Sequence, residues 1–273
     1  MHLNKKPYHK KRITTALLLA AGTGSRLFPL TKKSPKCLTL VNKTSILERL
    51  IKSLNQHGFK RLVIVTGHME NCIRNFLETR AGNIKIEYVF SPLYKTTNNI
   101  YSLWMARKII NEPFVLIPDR IAIARMKPWL DGSTVTINSA NTVDAFHGDA
   151  KNNSKQTRYK TVNIYSLSVS SWHRVIEKLD QYILAGRVND YYEAVFRQMV
   201  IEKSLSFQAV FFDHKPWCEI DTIKDLESAE KLFPARISKP LSVYDIEPDR
   251  LKNSELYARK PLVTGSIYVR SSL

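Results

Sequence analysis

Continuous apolar runs alternate along the chain with segments whose apolar residues recur three and four positions apart. Thr15–Ala20 is a run of the first kind, which is typical of a strand buried in a parallel sheet. Arg61–Thr66 and Ile84–Phe90 are predicted as the second and third strands. The segment between the first two runs places its leucine and isoleucine residues on one face of a helix. The alternation predicts an α/β fold in which helices cover a parallel sheet that binds ligands at the carboxyl ends of its strands.

Capping residues mark where two of the helices begin. Ser45 is followed three positions later by Glu48, which is the spacing of a capping box, and Gly58 ends this helix. The last helix has Thr222 as its cap. Further helices are predicted over Met69–Leu77, Asn99–Ile109, Ser171–Ala185, Tyr191–Lys203 and Thr222–Phe233. Further strands are predicted over Phe114–Ile117, Ile121–Ala124 and Phe207–Phe212.

The pattern divides the chain into three parts. Residues 1–12 are predicted to be a basic arm, residues 13–234 a folded domain, and residues 235–273 a tail or the stub of a further domain. The basic residues ahead of the apolar run Ile13–Ala21 also fit a secretory signal, but the run is short and a structured motif continues directly from it. We therefore expect a solvated arm ahead of the first strand.

The chain carries 42 lysine and arginine residues against 24 aspartate and glutamate residues, a net charge of +18. Clustered cations of this kind can release counterions from nucleic-acid phosphates. The cations are spread along the chain apart from the N-terminal arm, and no recognised nucleic-acid motif accompanies them. We expect no nucleic-acid partner, and we assign part of the charge to a site for a small polyanion.

The cysteines and the hydropathy profile restrict the class of protein further. Cys37, Cys72 and Cys218 have no metal-ligand spacing, so neither a disulfide framework nor a zinc site is expected, and a reducing cytoplasmic location fits. No apolar run reaches about 18 residues, so no membrane-spanning helix is expected. The sequence leaves the oligomeric state open, a homo-oligomer included.

A glycine-rich loop follows the first predicted strand. Gly22 and Gly24 allow a tight turn in which backbone amides approach a phosphate. Arg26 adds a guanidinium group suited to phosphate oxygens. The loop matches neither the dinucleotide-binding glycine pattern nor the P-loop pattern, so it predicts a phosphate site of another kind.

The stretch Leu17–Leu38, LLLAAGTGSRLFPLTKKSPKCL, resembles the signature of the sugar-nucleotide and CDP-alcohol nucleotidyltransferase superfamily. The resemblance implies a single α/β nucleotidyltransferase domain, Rossmann-like, with a mixed, mostly parallel sheet and helices on both faces. It implies two catalytic residues in this stretch, Arg26 at the pyrophosphate and Lys36 at the α-phosphate. The nucleotide-binding residues that it implies are Leu19, Ala20, Ala21, Gly22, Thr23, Gly24, Ser25, Gly67, Thr97, Asn98 and Asn99.

Four further stretches resemble phosphocholine and 2-aminoethylphosphonate cytidylyltransferases, namely Thr97–Leu103, Pro128–Gly132, Lys160–Ser166 and Asn189–Glu193. This resemblance implies CMP transfer from CTP to a phosphocholine-like or aminoalkylphosphonate acceptor, with release of pyrophosphate. Sugar-1-phosphate nucleotidyl transfer is the alternative. Lys160, a third catalytic residue, would neutralise the acceptor's phosphate or phosphonate, and aromatic rings would surround its ammonium group. The acceptor-binding residues so implied are Trp129, Asp131, Asn163, Tyr191, Tyr192 and Glu193, with Asp190 as a further candidate counter-charge.

Two aspartates are candidate Mg²⁺ ligands. Trp217–Thr222 resembles the family's Glu-Ile-Asp segment, which implies that Asp221 binds the metal. A second acidic segment of the family is not matched, because Asp119 stands directly before Ile121–Ala124 with no room for a crossover helix. Either Asp119 is the second ligand in a rebuilt segment, or the acidic segment is lost and the chain is a catalytically impaired nucleotide-binding homologue. The second interpretation fits better, because residues 121–132 align with the family's next strand.

Overall fold

The computed structural model describes residues 13–110, 119–148 and 156–234. The predicted arm, the predicted strand Phe114–Ile117 and the predicted tail lie outside the described residues. The described strands and helices, in chain order, are β1 (Thr15–Ala20), β2 (Leu40–Val41), β3 (Thr44–Ser45), α1 (Ile46–Gln56), β4 (Arg61–Thr66), α2 (Glu70–Glu78), β5 (Lys85–Phe90), α3 (Asn99–Ala106), β6 (Arg120–Arg125), β7 (Thr134–Ile137), β8 (Val143–His147), β9 (Tyr159–Ser166), α4 (Val169–Leu184), α5 (Tyr192–Ile201), β10 (Gln208–Phe211) and α6 (Ile223–Leu232).

The strands form two larger sheets and one small ribbon. The first sheet is parallel, in the order β1-β4-β5, and its register places Ala20 beside Thr66 at the carboxyl ends of β1 and β4. The second sheet has the order β10-β6-β9-β7-β8, in which β10 and β6 are parallel and the other pairs are antiparallel. β2 and β3 form the ribbon. The loops that follow β1 and β4 therefore leave the first sheet side by side.

Apolar residues pack on both faces of the first sheet. Leu17 and Leu19 of β1 contact the core that lies against α3, α4 and α5, whereas Ala16 and Leu18 contact the core under α1 and α2. This alternation follows from the two-residue period of a strand. A continuous apolar run is needed because each face of β1 is covered. The predicted α/β domain with mixed strands and helices on both faces is confirmed.

The helix starts follow the capping signals. The Ser45 side chain accepts a hydrogen bond from the Glu48 amide, and Thr222 and Asp225 form a reciprocal capping box at the start of α6. α4 begins before the predicted Ser171, because the Ser168 side chain accepts from the Ser171 amide and so serves as the cap. β7, β8 and β9 are strands that the apolar pattern did not predict, since each of them carries polar residues among its apolar ones. No helix in the described part of the chain is long and apolar enough to cross a membrane.

Candidate active site

The loop after β1 folds back over Lys36. Gly24 has a φ of +66°, in the left-handed region, and its carbonyl accepts a 2.8 Å hydrogen bond from the Thr31 hydroxyl. A Cβ atom on Gly24 would lie 2.9 Å from the Lys36 Cβ, closer than side-chain carbons approach one another. Glycine is therefore required at this position both for its φ and for the space that Lys36 occupies.

Arg26 and Lys36 hold one carboxylate between them. Lys36 Nζ lies 2.5 Å from Asp221 Oδ1, and an Arg26 guanidinium nitrogen lies 3.0 Å from Asp221 Oδ2. Only 6% of the Lys36 side chain is exposed, against 41% of the Arg26 side chain. Burial lowers the pKa of Lys36 from its ordinary value, and the adjacent Asp221 carboxylate opposes this shift. Arg26 and Lys36, two of the predicted catalytic residues, thus contact Asp221, one of the two predicted metal ligands.

Apolar packing brings Asp221 to the loop independently of these charges. Leu27 follows Arg26 in the sequence, and Ile220 precedes Asp221. Both side chains are fully buried, in one cluster with Val41 and Ile46. The Asp221 amide also donates to the Asp225 carboxylate. The backbone on both sides of the ion pairs is therefore fixed by contacts that do not involve Arg26 or Lys36.

The remaining predicted nucleotide residues surround the end of β1. The His68 amide donates a 2.9 Å hydrogen bond to the Ala21 carbonyl, and a Cβ on Gly67 would lie 2.8 Å from that same carbonyl oxygen. Leu19 and Ala20 are the last residues of β1, and Thr23 and Ser25 flank Gly24 in the loop. One small pocket brings together five of the predicted residues: Ala21, Gly22, Thr97, Asn98 and Asn99.

Lys160 lies in a buried polar cluster. Its side chain is fully buried, and its Nζ donates to the Thr161 carbonyl at 3.0 Å and to Glu219 Oε1 at 3.1 Å. The same glutamate oxygen accepts from the Asn163 side chain at 2.5 Å, and Asn163 has a left-handed φ of +58°. Glu219 is a residue that the sequence reasoning missed. Its position two residues before Asp221 was the available signal, because alternate residues of an extended segment share a side.

The predicted acceptor residues are divided between two places. The Tyr192 amide donates to Asn99 Oδ1 at 2.9 Å, and its ring packs edge-on against Tyr165 and Phe196. Trp129 is 74% exposed in the loop after β6, with Lys127 Nζ 5.5 Å from its ring centroid. Asp131 is exposed in the same loop. Near Tyr192, Tyr191 is half-exposed and Glu193 is buried on α5. Asp190 forms an ion pair with Arg187.

Asp119, the second predicted Mg²⁺ ligand, directly precedes β6 and contacts the start of α4. Its carboxylate accepts hydrogen bonds from the Ser168 amide and the Ser171 hydroxyl, at the start of α4. Asp119 precedes the first residue of β6, whereas Lys160 pairs with Ala124 near the other end of that strand. At about 3.3 Å per residue these two positions are roughly 16 Å apart along β6. The Asp119 carboxylate therefore contacts the cap and first turn of α4, at the end of β6 that is remote from the Lys160 and Glu219 cluster.

Asp221 fits a Mg²⁺ ion that is bound mainly by a nucleotide. Within the described ranges, no group of three or more histidine, cysteine, aspartate or glutamate side chains is arranged to hold a metal. Mg²⁺ is usually bound by one or two carboxylates together with substrate phosphates and water. The single carboxylate of Asp221, next to the glycine-rich loop, fits that requirement.

The family follows from comparison with known proteins. Residues 15–166 match the model of the nucleotidyl transferase family, and the chain belongs to this family. The predicted superfamily is confirmed. Arg26 and Lys36 lie within the matched residues, and Asp221, which contacts both side chains, lies beyond them.

Among curated proteins the chain is similar to several cytidylyltransferases. It is 28% identical over 253 residues to CTP:phosphoglutamine cytidylyltransferase of Campylobacter jejuni, over 78% of this chain and 97% of that protein. It is 27% identical over 244 residues to CMP-5'-(3-aminopropyl)phosphonate synthase of Streptomyces rubellomurinus, over 80% of this chain and 38% of that protein. The chain thus spans nearly all of the first relative but well under half of the second.

Solved structures show the same fold at low sequence identity. CTP:phosphocholine cytidylyltransferase of Streptococcus pneumoniae superposes with a TM-score of 0.68 at 19% identity, over 81% of this chain and 99% of that one. A UDP-glucose pyrophosphorylase complexed with UDP-glucose superposes with a TM-score of 0.65 at 14% identity, over 80% and 97%. The fold is therefore shared by enzymes named for different nucleotides.

Proposed function

We propose that the chain transfers CMP from CTP to a small phosphorylated or phosphonate acceptor and releases pyrophosphate. The observation that carries the proposal is the convergence of Arg26 and Lys36 in front of the glycine-rich loop. Two cations beside a loop whose backbone can approach an anion suit a triphosphate. The names of the curated relatives support cytosine as the base and a phosphate or phosphonate as the acceptor group.

In the proposed reaction, an oxygen of the acceptor forms a bond to the α-phosphorus of CTP. The bond from that phosphorus to the bridging oxygen breaks, and its electron pair leaves with pyrophosphate, so no covalent intermediate with the protein is formed. Lys36 neutralises charge at the α-phosphate, and Arg26 binds the departing pyrophosphate. Asp221 would hold a Mg²⁺ ion together with the substrate phosphates, and the ion would supply additional neutralisation of charge. Positioning and charge then account for the catalysis.

Because Lys160 is fully buried, we propose a different role for it from the one that the sequence implied. A fully buried ammonium group that donates to Glu219 is placed to orient that carboxylate and, through it, Asn163. We therefore propose that Lys160 acts through Glu219 rather than on the acceptor phosphate itself. Tyr192 remains a proposed acceptor residue because its amide is fixed to Asn99, which lines the pocket at Gly22.

A nucleotide-binding protein without turnover is the second candidate. The observation in its favour is Asp119, whose carboxylate is engaged at the start of α4 and leaves Asp221 without a second aspartate from that segment. In this case CTP binds, but charge at the reacting phosphate is neutralised less completely.

Pyrophosphate release by the full chain tests the two candidates. CTP is offered with phosphocholine, a phosphorylated amide and an aminoalkylphosphonate, and UTP or dTTP is offered with glucose 1-phosphate. Release with CTP and one of the first three acceptors is the expected result. Release only with glucose 1-phosphate overturns the proposal in favour of a sugar nucleotidyltransferase. Calorimetric binding of CTP without release in any pair supports the second candidate.

A further inference from the structure

Lys160, Thr134 and His147 lie in one row across three neighbouring strands. Lys160 of β9 pairs with Thr134 of β7, and Thr134 pairs with His147 of β8. Directly opposed residues of an antiparallel pair present their side chains on the same face of a sheet. At about 4.8 Å between neighbouring strands, His147 lies roughly 10 Å from Lys160. The face that carries the buried ammonium group of Lys160 therefore continues to β8, the last strand of the sheet.

Two arginines join His147 at this edge of the sheet. Arg158 directly precedes β9, and the two-residue period of a strand places its side chain on the same face as Lys160. Arg197 of α5 reaches the same edge, since one of its guanidinium nitrogens lies 3.9 Å from the position that a Cβ on Gly148 would take. Burial, and then the charges of Arg158 and Arg197, lower the pKa of His147. The three basic side chains are thus close enough to repel one another.

These charges are not compensated by a carboxylate from the described part of the chain. Neither Arg158 nor Arg197 forms an ion pair there, and the Arg158 Nε is buried without a hydrogen-bond partner. The hydroxyl of Thr134 is likewise buried without a partner. Thr136 Oγ1 lies 3.2 Å from His147 Nε2, so Nδ1 is the ring nitrogen that can contact a ligand. A buried donor without a partner destabilises a fold unless a ligand or an ordered water completes it.

We propose that Arg158, Arg197 and His147 form a binding site for a phosphate or carboxylate group. A guanidinium group can donate two parallel hydrogen bonds to either anion, and an imidazole N–H can donate a third. A bound anion also removes the repulsion between the three side chains. Its source is either a free anion or the second charged end of a small acceptor, which the distance of roughly 10 Å from Lys160 suits. Only the acceptor as the source rests on the proposed function.

Titration of the full chain with inorganic phosphate, followed by NMR, tests the site directly. The chain has seven histidines, and the spectrum of His147→Gln identifies the ring resonance of His147. Phosphate should shift that resonance in the unaltered protein. Arg158→Gln should weaken the affinity obtained from this shift about tenfold, as expected when a charge-assisted hydrogen bond is lost. Phosphate bound at the loop after β1 does not contact His147, so the measurement is specific to the proposed site.

Two further variants separate phosphate binding from damage to the fold. Arg197→Gln alters an exposed side chain and should weaken phosphate binding by up to about fivefold, the range for an exposed charge. Arg120→Gln removes an exposed arginine at the start of β6, remote from Lys160, and should leave the affinity unchanged. If phosphate does not shift the His147 resonance, or if Arg158→Gln binds phosphate as tightly as Arg120→Gln does, the inference is wrong.

Two acceptors distinguish the sources of the anion. Phosphoglutamine carries a carboxylate and phosphocholine carries a trimethylammonium group, and each is offered with CTP. If the anion belongs to the acceptor, Arg158→Gln should raise KM for phosphoglutamine about tenfold, with kcat and the KM for phosphocholine unchanged. If neither KM changes while phosphate shifts the His147 resonance, the site binds a free anion. If no acceptor releases pyrophosphate, the proposed function is wrong, and the phosphate titration still decides the inference.

Discussion

Gly24 and Lys36 are packed so closely that a methyl group on Gly24 would lie 2.9 Å from the Lys36 Cβ. The backbone of the glycine-rich loop therefore sets the position of the buried ammonium group on the far side of the loop. A change to the glycine is consequently a change to the lysine as well.

Gly24→Ala should weaken CTP binding by up to about a hundredfold, the scale for displacing a positioned group by 1 Å. Calorimetry measures the affinity. Gly186→Ala is the matched control, because Gly186 also has a left-handed φ, of +73°, but nothing lies within 4 Å of its Cβ position. Each variant should lose about 1 kcal/mol of stability from the left-handed backbone. Gly24→Ala should lose more through the clash with Lys36, and only Gly24→Ala should lose affinity. Equal affinities in the two variants would contradict the coupling between Gly24 and Lys36.

Lys36→Ala should reduce the rate of pyrophosphate release at least about a hundredfold, as expected when a main charge-stabilising donor is lost. Lys33→Ala removes an exposed lysine of the same loop and should leave the rate within about twofold, as for a surface charge that pairs weakly. Initial rates at saturating CTP make the comparison. An unchanged rate in Lys36→Ala would exclude Lys36 from the mechanism.

Glu219→Gln should destabilise the fold by about 3 kcal/mol, because it leaves the fully buried ammonium of Lys160 without its counter-ion. Lys160→Met should cost less, since the Glu219 side chain is 12% exposed and keeps the Asn163 donor. Asp190→Asn, at the partly exposed pair with Arg187, should cost under about 1 kcal/mol. Urea unfolding measures all three. A larger loss of stability in Lys160→Met than in Glu219→Gln would contradict this prediction. It would show that the Glu219 carboxylate depends on Lys160 more than Lys160 depends on Glu219.

Glu87 should stabilise the protein only above acidic pH. Hydrogen bonds from Arg61 and Lys85 lower the pKa of Glu87 from 4.5 to about 2. A carboxyl group with a lower pKa in the folded state stabilises that state above its unfolded pKa and loses this effect as the pH falls towards the folded one. The stability difference between Glu87→Gln and the unaltered protein should therefore be full near neutral pH and shrink between about pH 4.5 and pH 2. Glu177→Gln, at an exposed position on α4, is the control and should show a small difference throughout.

Local signals in the sequence were sufficient for much of the fold. Thr15–Ala20 and Arg61–Thr66 are strands with the predicted bounds, because a buried strand needs an unbroken apolar run. Ser45 and Thr222 cap helices as predicted, because a cap and its partner are only three residues apart. β7 and β8 were missed, since short antiparallel strands are specified by their neighbours more than by their own pattern.

The candidate site was predictable where a motif is contiguous and unpredictable where partners are distant. Gly24, Arg26 and Lys36 belong to one stretch, so their proximity followed from the loop itself. The contacts of the Asp119 carboxylate depend on Ser168 and Ser171, which lie 49 and 52 residues later in the chain. The burial of Lys160 depends likewise on Glu219, 59 residues away. Tertiary packing determines such pairs, and the spacing of residues along the chain does not indicate them.

Lys36 and Asp221 are 185 positions apart in the sequence, so Lys36 is synthesised well before its ion-pair partner. The glycine-rich loop leaves the ribosome long before the Glu219–Asp221 segment is translated, so Lys36 in the nascent chain lacks the anion that it holds in the finished protein. The apolar cluster that contains Leu27 is likewise incomplete until Ile220 has been synthesised. A chain that ends before Ile220 and Asp221 therefore lacks both the counter-ion of Lys36 and part of the apolar cluster around Leu27.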